Sequence, residues 1–439
     1  METSSVNSQP PKGPSRPAEF PFSPEELVVR AKALFHAEQR KDLRGVTAEK
    51  TEDLRHFDVP AMDRIAAILM WGRSGSLLLA SYLDGHDDVI MLPESCGQRL
   101  YDFFESYRSL PLRDKLIGYA AIDTTYPRFF EGDFAISPQQ YYAAVQAILE
   151  VYGNFPPDFL ESRRAFFLFV HIAYNLALGR RPASSRPLIV YAQHVWDNVM
   201  ATHLVEDFPR AKFVHTIRDP ISSCDGIFHY HLKFVEHHIL LPYMALYLLA
   251  DKDRPQSGME SRTRVIRFED LHRDIAETMG DLADWLDLPY QATLLESTFN
   301  GIPWVVTRDG EAWTGRRLAQ VQRHSRNLSR KDRALLFALF YENFVDWNYP
   351  CPKIFAHSIV RWTVFASLFL VPMKMEITGA RVVFKRRILP SIRHGAILPA
   401  IRSTLAIGLC RVKIIRLVTS VFFRRYAHGA TLLQVSHKR

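Results

Sequence analysis

Residues 65–79, IAAILMWGRSGSLLL, constrain the chain more than any other stretch. The first seven, through Trp71, are apolar and short in run, the pattern of a strand buried on both faces. The run breaks at Gly72-Arg73-Ser74-Gly75-Ser76, and apolar residues resume as a helix over residues 77–83. Strand, glycine-bearing turn and helix together leave backbone N–H groups at the helix start, where the helix dipole also favours an anion. Gly75 lets the backbone come close to a ligand, Ser74 and Ser76 add hydroxyls, and Arg73 supplies a fixed charge. The loop therefore reads as a cradle for phosphate or sulfate, although an ordinary strand-to-helix turn has the same look. A nucleoside-triphosphatase loop would carry a Lys-Ser/Thr pair after its second glycine, with the hydroxyl on Mg²⁺. Here Ser76-Leu77 follows Gly75, which argues against a kinase using ATP.

The rest of the pattern is α/β. Residues 89–92 form a short apolar stretch that delivers Pro93-Glu94 to an edge, and strand signals return at residues 188–192, 212–217 and 264–268. Helical spans lie between them, so the expectation is a central parallel sheet with helices on both faces. Pro24-Glu25-Glu26 opens an amphipathic helix with acidic residues where the dipole prefers them. Residues 275–288 and 330–344 are two more. Residues 97–185 are helical in pattern and rich in aromatics, as a cover over the sheet that also shapes an acceptor pocket, or simply as core.

A second anion site is expected within residues 213–223, FVHTIRDPISS. The strand ends at Arg218, Asp219 is a natural N-cap, Pro220 suits the first helical position, and Ser222 and Ser223 fall in the first turn. Open α/β sheets bind ligands along the edge where such ends gather. Pairing of Arg218 with Asp219 or Glu269 is the plainer alternative. His229, His231, Glu236, His237 and His238 do not complete a tight ligand set, so no metal site is expected.

Composition separates the chain into three parts. Residues 1–24 hold six prolines and no apolar core of a secretory signal, and read as a disordered arm before a domain at 25–356. Residues 357–439 carry 15 Lys/Arg against one acidic residue, Glu376, while the remainder has 40 basic and 46 acidic residues. This extension alternates apolar runs with Lys385-Arg386-Arg387, Arg411-Val412-Lys413 and Arg424-Arg425, and is expected to be helical. Its longest apolar stretch is too short to span a bilayer, so a peripheral helix on an anionic membrane fits first and a protein partner second. Nucleic acid ranks last, because no binding module accompanies the charge. The four cysteines (Cys96, Cys224, Cys351, Cys410) are far apart, against a disulfide framework and for a reducing cytoplasm, with a peripheral membrane location as its variant.

Cradle, Arg218 site, the segment RVIRFEDL at 264–271 and the helix ending in Trp285-Leu286 together resemble the sulfotransferases that use 3′-phosphoadenosine 5′-phosphosulfate (PAPS). The resemblance spans about residues 60–350. It implies that Arg73, Ser74, Gly75 and Ser76 hold the donor's 5′-phosphosulfate, with Leu77 beside them, and that Arg218 holds the 3′-phosphate. Trp313-Thr314-Gly315, the run Leu328-Ser329-Arg330-Lys331-Asp332 and Asn348-Tyr349 are similar to the family's late segment, where Arg308 and Arg316 are candidate contacts and Trp304 or Trp313 a candidate for adenine stacking. Two positions depart from the pattern. Leu77 stands where a second hydroxyl is common, and Gly226 stands where a serine is usual, eight residues after Arg218; Ser222 or Ser223 is the candidate substitute.

The implied reaction is in-line transfer of a sulfuryl group from PAPS to an acceptor hydroxyl, or an amine, leaving 3′,5′-ADP and requiring no metal. Arg73 would stabilise the leaving oxygen. Two residues compete as base: Glu94, 21 residues after Arg73, and His194, at the end of the strand before the Arg218 unit. Glu94 fits the spacing slightly better, whereas a histidine titrates near neutrality without help. The acceptor is a small molecule, a lipid or a carbohydrate. The alternative reading is an inactive nucleotide-binding or membrane-associated scaffold, motivated by Leu77 and Gly226.

Overall fold

The computed structural model describes residues 22–36, 43–70, 74–93, 99–122, 129–194, 198–232, 240–251, 260–308, 311–318, 321 and 327–428. The strands are β1 (Ile65–Met70), β2 (Val89–Met91), β3 (Leu188–His194), β4 (Lys212–Ile217) and β5 (Thr263–Arg267), followed by the short β6 (Thr298–Phe299), β7 (Ile302–Pro303), β8 (Val305–Arg308) and β9 (Glu311–Thr314). The first five make one parallel sheet in the order β2-β3-β1-β4-β5, as the alternating pattern predicts. The helices that bear on the argument are α1 (Pro24–Leu34), α2 (Ser76–Leu83), α3 (Arg163–Ala177), α4 (Pro220–His231), α5 (Leu241–Asp251), α6 (Asp270–Arg273), α7 (Ile275–Trp285), α8 (Arg330–Leu339), α9 (Ser358–Leu370), α10 (Lys374–Val383) and α11 (Ile397–His428).

The chain divides into two compact units. The first comprises residues 1–66, 84–211 and 298–302. Its α1 starts with a reciprocal capping box, Ser23 Oγ accepting from the Glu26 amide at 3.2 Å while Glu26 accepts from the Ser23 amide at 2.8 Å. Its centre is α3, buried around its whole circumference from Ala165 to Ala177 and apolar there except for His171 and Asn175. The aromatics of residues 97–185 are largely core here: Tyr101, Phe103, Phe104, Tyr141 and Tyr174 are all buried. Asp84 ties the end of this unit together, accepting two hydrogen bonds from Arg180 and one each from Thr298 and the Gly301 amide.

The second unit comprises residues 67–83, 212–297 and 303–439. The helix predicted over 330–344 is divided: α8 stops at Leu339 and a short turn of helix, Tyr341–Asp346, follows Phe340. Ser329 and Asp332 form a second capping box, and the Asp332 carboxylate also accepts from the Lys374 amide at the start of α10. One buried acid therefore caps two helices. Among the described residues one stretch, Ser358–Arg393, is apolar and long enough to cross a membrane by composition. It is interrupted, because α9 ends at Leu370 and α10 begins at Lys374.

Candidate functional site

Within the second unit, the C-terminal ends of β1, β4 and β5 are neighbours, because the strand order sets β4 between the other two. Each end leads into a turn or a helix start, and these three turns make the site. The first is the loop before α2. Ser74 is fully buried, and its hydroxyl is 3.0 Å from that of Thr216 near the end of β4, so it ties the loop to the neighbouring strand. Gly75 has φ +90°, a conformation open to glycine at little cost. There is a second reason for glycine here. A Cβ at this position would lie 2.4 Å from Cδ2 of Phe268, so the space a side chain would need is filled by an aromatic ring. Ser76 is buried as the first residue of α2, and Leu77 is half-buried.

The second turn is Arg218-Asp219-Pro220. Asp219 caps α4 as predicted, accepting from the Ser222 amide at 2.7 Å, with Pro220 at the first helical position. Arg218 is 8 % exposed, and its guanidinium carbon lies 4.4 Å from the centre of the Phe268 ring. Parallel register explains that contact: Ile217 is level with Arg267, so the next step along both strands brings Arg218 beside Phe268. Phe268 thus touches the cradle glycine and carries the guanidinium, which joins the two predicted anion sites through one ring.

The third turn, after β5, surrounds Arg218 with charge and hydrogen bonds. Glu269 is buried, accepting from the Asp219 amide at 3.3 Å and from the Tyr349 hydroxyl at 2.7 Å. Burial pushes its carboxyl above the usual range, and the Tyr349 hydrogen bond and the Arg218 charge partly offset this. Burial also raises Asp219, against its cap bonds and Arg218. His272, on α6, stands edge-on to Phe268 at 4.4 Å between centroids, and its Nδ1 accepts from the Arg317 amide at 2.9 Å. Burial, reinforced by Arg218, pushes that imidazole down to about 4, so at neutral pH the ring is neutral with its proton on Nε2. The late segment closes on this block. Gly315 follows the β8–β9 hairpin, Arg317 lies over Trp313 at 4.7 Å, and Arg316 is exposed with its field reaching the buried Tyr82 hydroxyl.

The structure therefore brings Ser74, Gly75, Ser76 and Arg218 together, with Ser222 on the first turn of α4. Arg308 ends β8 opposite Glu311, and its side chain lies outside the described residues. So do the whole of Arg73 and Glu94, and the side chain of His194, whose backbone ends β3. His229 and His231 belong to α4, and Glu236, His237 and His238 lie outside the described residues; no group of three metal-ligating side chains occurs among those described. Sequence reasoning missed Phe268, His272, Thr216 and Arg317, and named Glu269 only as an alternative partner for Arg218. The segment RFEDL carried a signal, an acid directly after a strand, but its partners lie 50 to 80 residues away in sequence.

A family model described as the sulfotransferase family matches residues 67–292. No curated protein matches the sequence. Among solved structures, the sulfotransferase domain from the curacin biosynthetic pathway is similar at 14 % identity, with 66 % of this chain and 98 % of that one covered and a TM-score of 0.38. The sulfotransferase domain of the Synechococcus PCC 7002 olefin synthase is similar at 20 % identity, covering 55 % of this chain and 80 % of that one, with a TM-score of 0.32. The sulfotransferase STF9 from Mycobacterium avium is similar at 13 % identity, covering 76 % and 99 % of the respective chains, with a TM-score of 0.35.

Proposed function

Since this chain belongs to the sulfotransferase family, we propose that it transfers the sulfuryl group of PAPS to an acceptor hydroxyl, with an amine as the lesser alternative. One arrangement carries the reading: Phe268 lies against Gly75 and also bears Arg218, which holds two helix starts and a guanidinium within one small region. A nucleotide with phosphates at both ends of its ribose needs two such cationic points. The amides at the start of α2 would hold the 5′ end, with the charge of Arg73, and Arg218 would take the 3′-phosphate, with Ser222 beside it. Arg308 and Arg316 are further candidates for that phosphate.

In the reaction the acceptor oxygen forms a bond to sulfur while the bond from sulfur to the 5′-phosphate oxygen breaks. The acceptor's proton passes to Glu94 or His194, and the electron pair leaves with 3′,5′-ADP, stabilised by Arg73. The acceptor class proposed is a small molecule, lipid or carbohydrate.

Calorimetric titration with 3′,5′-ADP tests the donor half, and turnover of labelled PAPS against acceptor classes tests the rest. Binding weakened roughly 10- to 100-fold in Arg218→Ala, with turnover lost in Glu94→Ala or His194→Ala, is the expected result. No binding in the native protein ends the reading. Binding without turnover against any acceptor class favours the scaffold, for which Leu77 and Gly226 are the motive.

A further inference from the structure

The helix α11 is apolar on two opposite faces, and the chain covers one of them. Ala400, Cys410, Ile414, Val418, Val421 and Phe422 are buried at a helical spacing, and most of them join the core with α5, α8 and α9; the Phe422 ring stacks on Phe365 at 4.3 Å. The opposite face carries Leu398, Ile401, Leu405, Leu409 and Val412, spaced by three and four residues and so aligned along one side. These are large side chains left in water: Leu405 is 63 % and Leu409 60 % exposed. Scattered exposed apolar residues are ordinary, but five large ones in one row on one helix are not.

The charge around the row identifies its occupant. Arg402, Lys413 and Arg416 are exposed on the same side of the helix, and residues 377–439 contain no acidic residue. The extension's single acid, Glu376, already accepts from Arg411 at 2.7 Å. A second copy packed on this row would set arginine against arginine with no carboxylate to answer them. Nucleic acid would answer the charges and leave the leucines in water. A bilayer with anionic headgroups satisfies both, taking the apolar row below the headgroup level and the basic side chains at it. The row from 398 to 412 extends about 21 Å along the axis, short of the roughly 30 Å hydrocarbon core, so the helix lies in the surface and does not cross it.

We infer that α11 is a peripheral docking helix for an anionic lipid surface. The inference stands on the exposed row and its charges, independently of the transfer chemistry. The test is co-sedimentation of the full chain with vesicles of phosphatidylcholine alone and of phosphatidylcholine mixed with phosphatidylserine. Binding should favour the anionic vesicles and weaken in high salt. Leu405→Glu with Leu409→Glu should reduce it at least about tenfold, and Arg402→Glu with Arg416→Glu by roughly a hundredfold. Both doubles change exposed positions, so 3′,5′-ADP affinity and the circular dichroism melt should stay unchanged. Equal binding to neutral vesicles, no binding to either, or binding indifferent to the leucine double would each overturn the inference. A dimer in sedimentation equilibrium that the leucine double dissociates would overturn it too, and would assign the row to a second copy.

Discussion

The two helix starts that make the site share one plan, strand then turn then helix, and are held by opposite means. The loop before α2 is held by shape: a glycine at φ +90°, a ring filling the space beside it, and a hydroxyl pair. The start of α4 is held by charge, with Arg218 set among Asp219, Glu269, Tyr349 and His272, most of them buried. Shape resists pH, whereas buried titratable charge answers to it. The same function of presenting amides to an anion is therefore tunable at one end and rigid at the other.

The comparison breaks most severely at Gly75. Replacing it with alanine puts a methyl group into the Phe268 ring and an L residue at positive φ, at a combined cost of roughly 2–5 kcal/mol. Thermal or urea unfolding should show that loss equally at low and high salt. In a Phe268→Ala background the clash disappears, so the same substitution should cost only about 1–2 kcal/mol, the backbone part. A full cost in both backgrounds would mean that the ring does not hold the loop.

The next largest effect belongs to the charged end. His272 titrates near 6.5 in the unfolded chain and about 4 in the fold, so the unfolded state takes up the proton first as pH falls. Its contribution is present in full above about 6.5 and drains away as pH drops to about 4, by at most about 3 kcal/mol. The buried His171 in the first unit, also pushed down to about 4, acts in the same direction and window. Comparing unfolding of native protein with His272→Asn across that range isolates the site's share. The variant should lose less stability on acidification, and identical slopes would remove His272 from the account. Arg218→Ala should raise the His272 titration, measured by NMR, because a repelling charge has gone.

Arg218→Ala should also weaken 3′,5′-ADP by roughly 10- to 100-fold, the worth of charge-assisted hydrogen bonds to one phosphate. The native affinity should fall steeply with salt and the variant's less so, since one cation no longer contributes. A salt slope left unchanged by the substitution would place the phosphate elsewhere.

Much of this plan was legible in the chain. Strand-forming apolar and β-branched residues gave β1, β4 and β5 to within about two residues, even though β5 (TRVIR) is mostly half-buried and carries two arginines. Asp219-Pro220 named its cap directly, because capping is local chemistry, and Ser329 with Asp332 carries the same local signal, although that run enters the sequence reading only as a family resemblance. What was illegible is whatever register decides. Nothing in RFEDL says that Phe268 will stand beside Arg218, because that follows from Ile217 meeting Arg267 across two strands. Nor does Asn348-Tyr349 announce that its hydroxyl will reach Glu269, 80 residues earlier. The division of the helix at Phe340 escaped for a related reason, since the apolar spacing continues across it.

The smallest expected effect is the sharpest test of the rigid end. Thr216→Val keeps the shape of the β4 end and removes its hydroxyl, so Ser74 loses that one bond while every packing contact survives. The cost should be about 1 kcal/mol, and Ser74→Ala in the same background should add little, because the two hydroxyls serve each other. If the loop is held mainly by the Phe268 ring, 3′,5′-ADP affinity in Thr216→Val stays within about threefold of native while the unfolding midpoint shifts. A large affinity loss without a stability change would instead make this hydroxyl pair part of the anion's own contacts, and the division between shape and charge would have to be redrawn at Ser74.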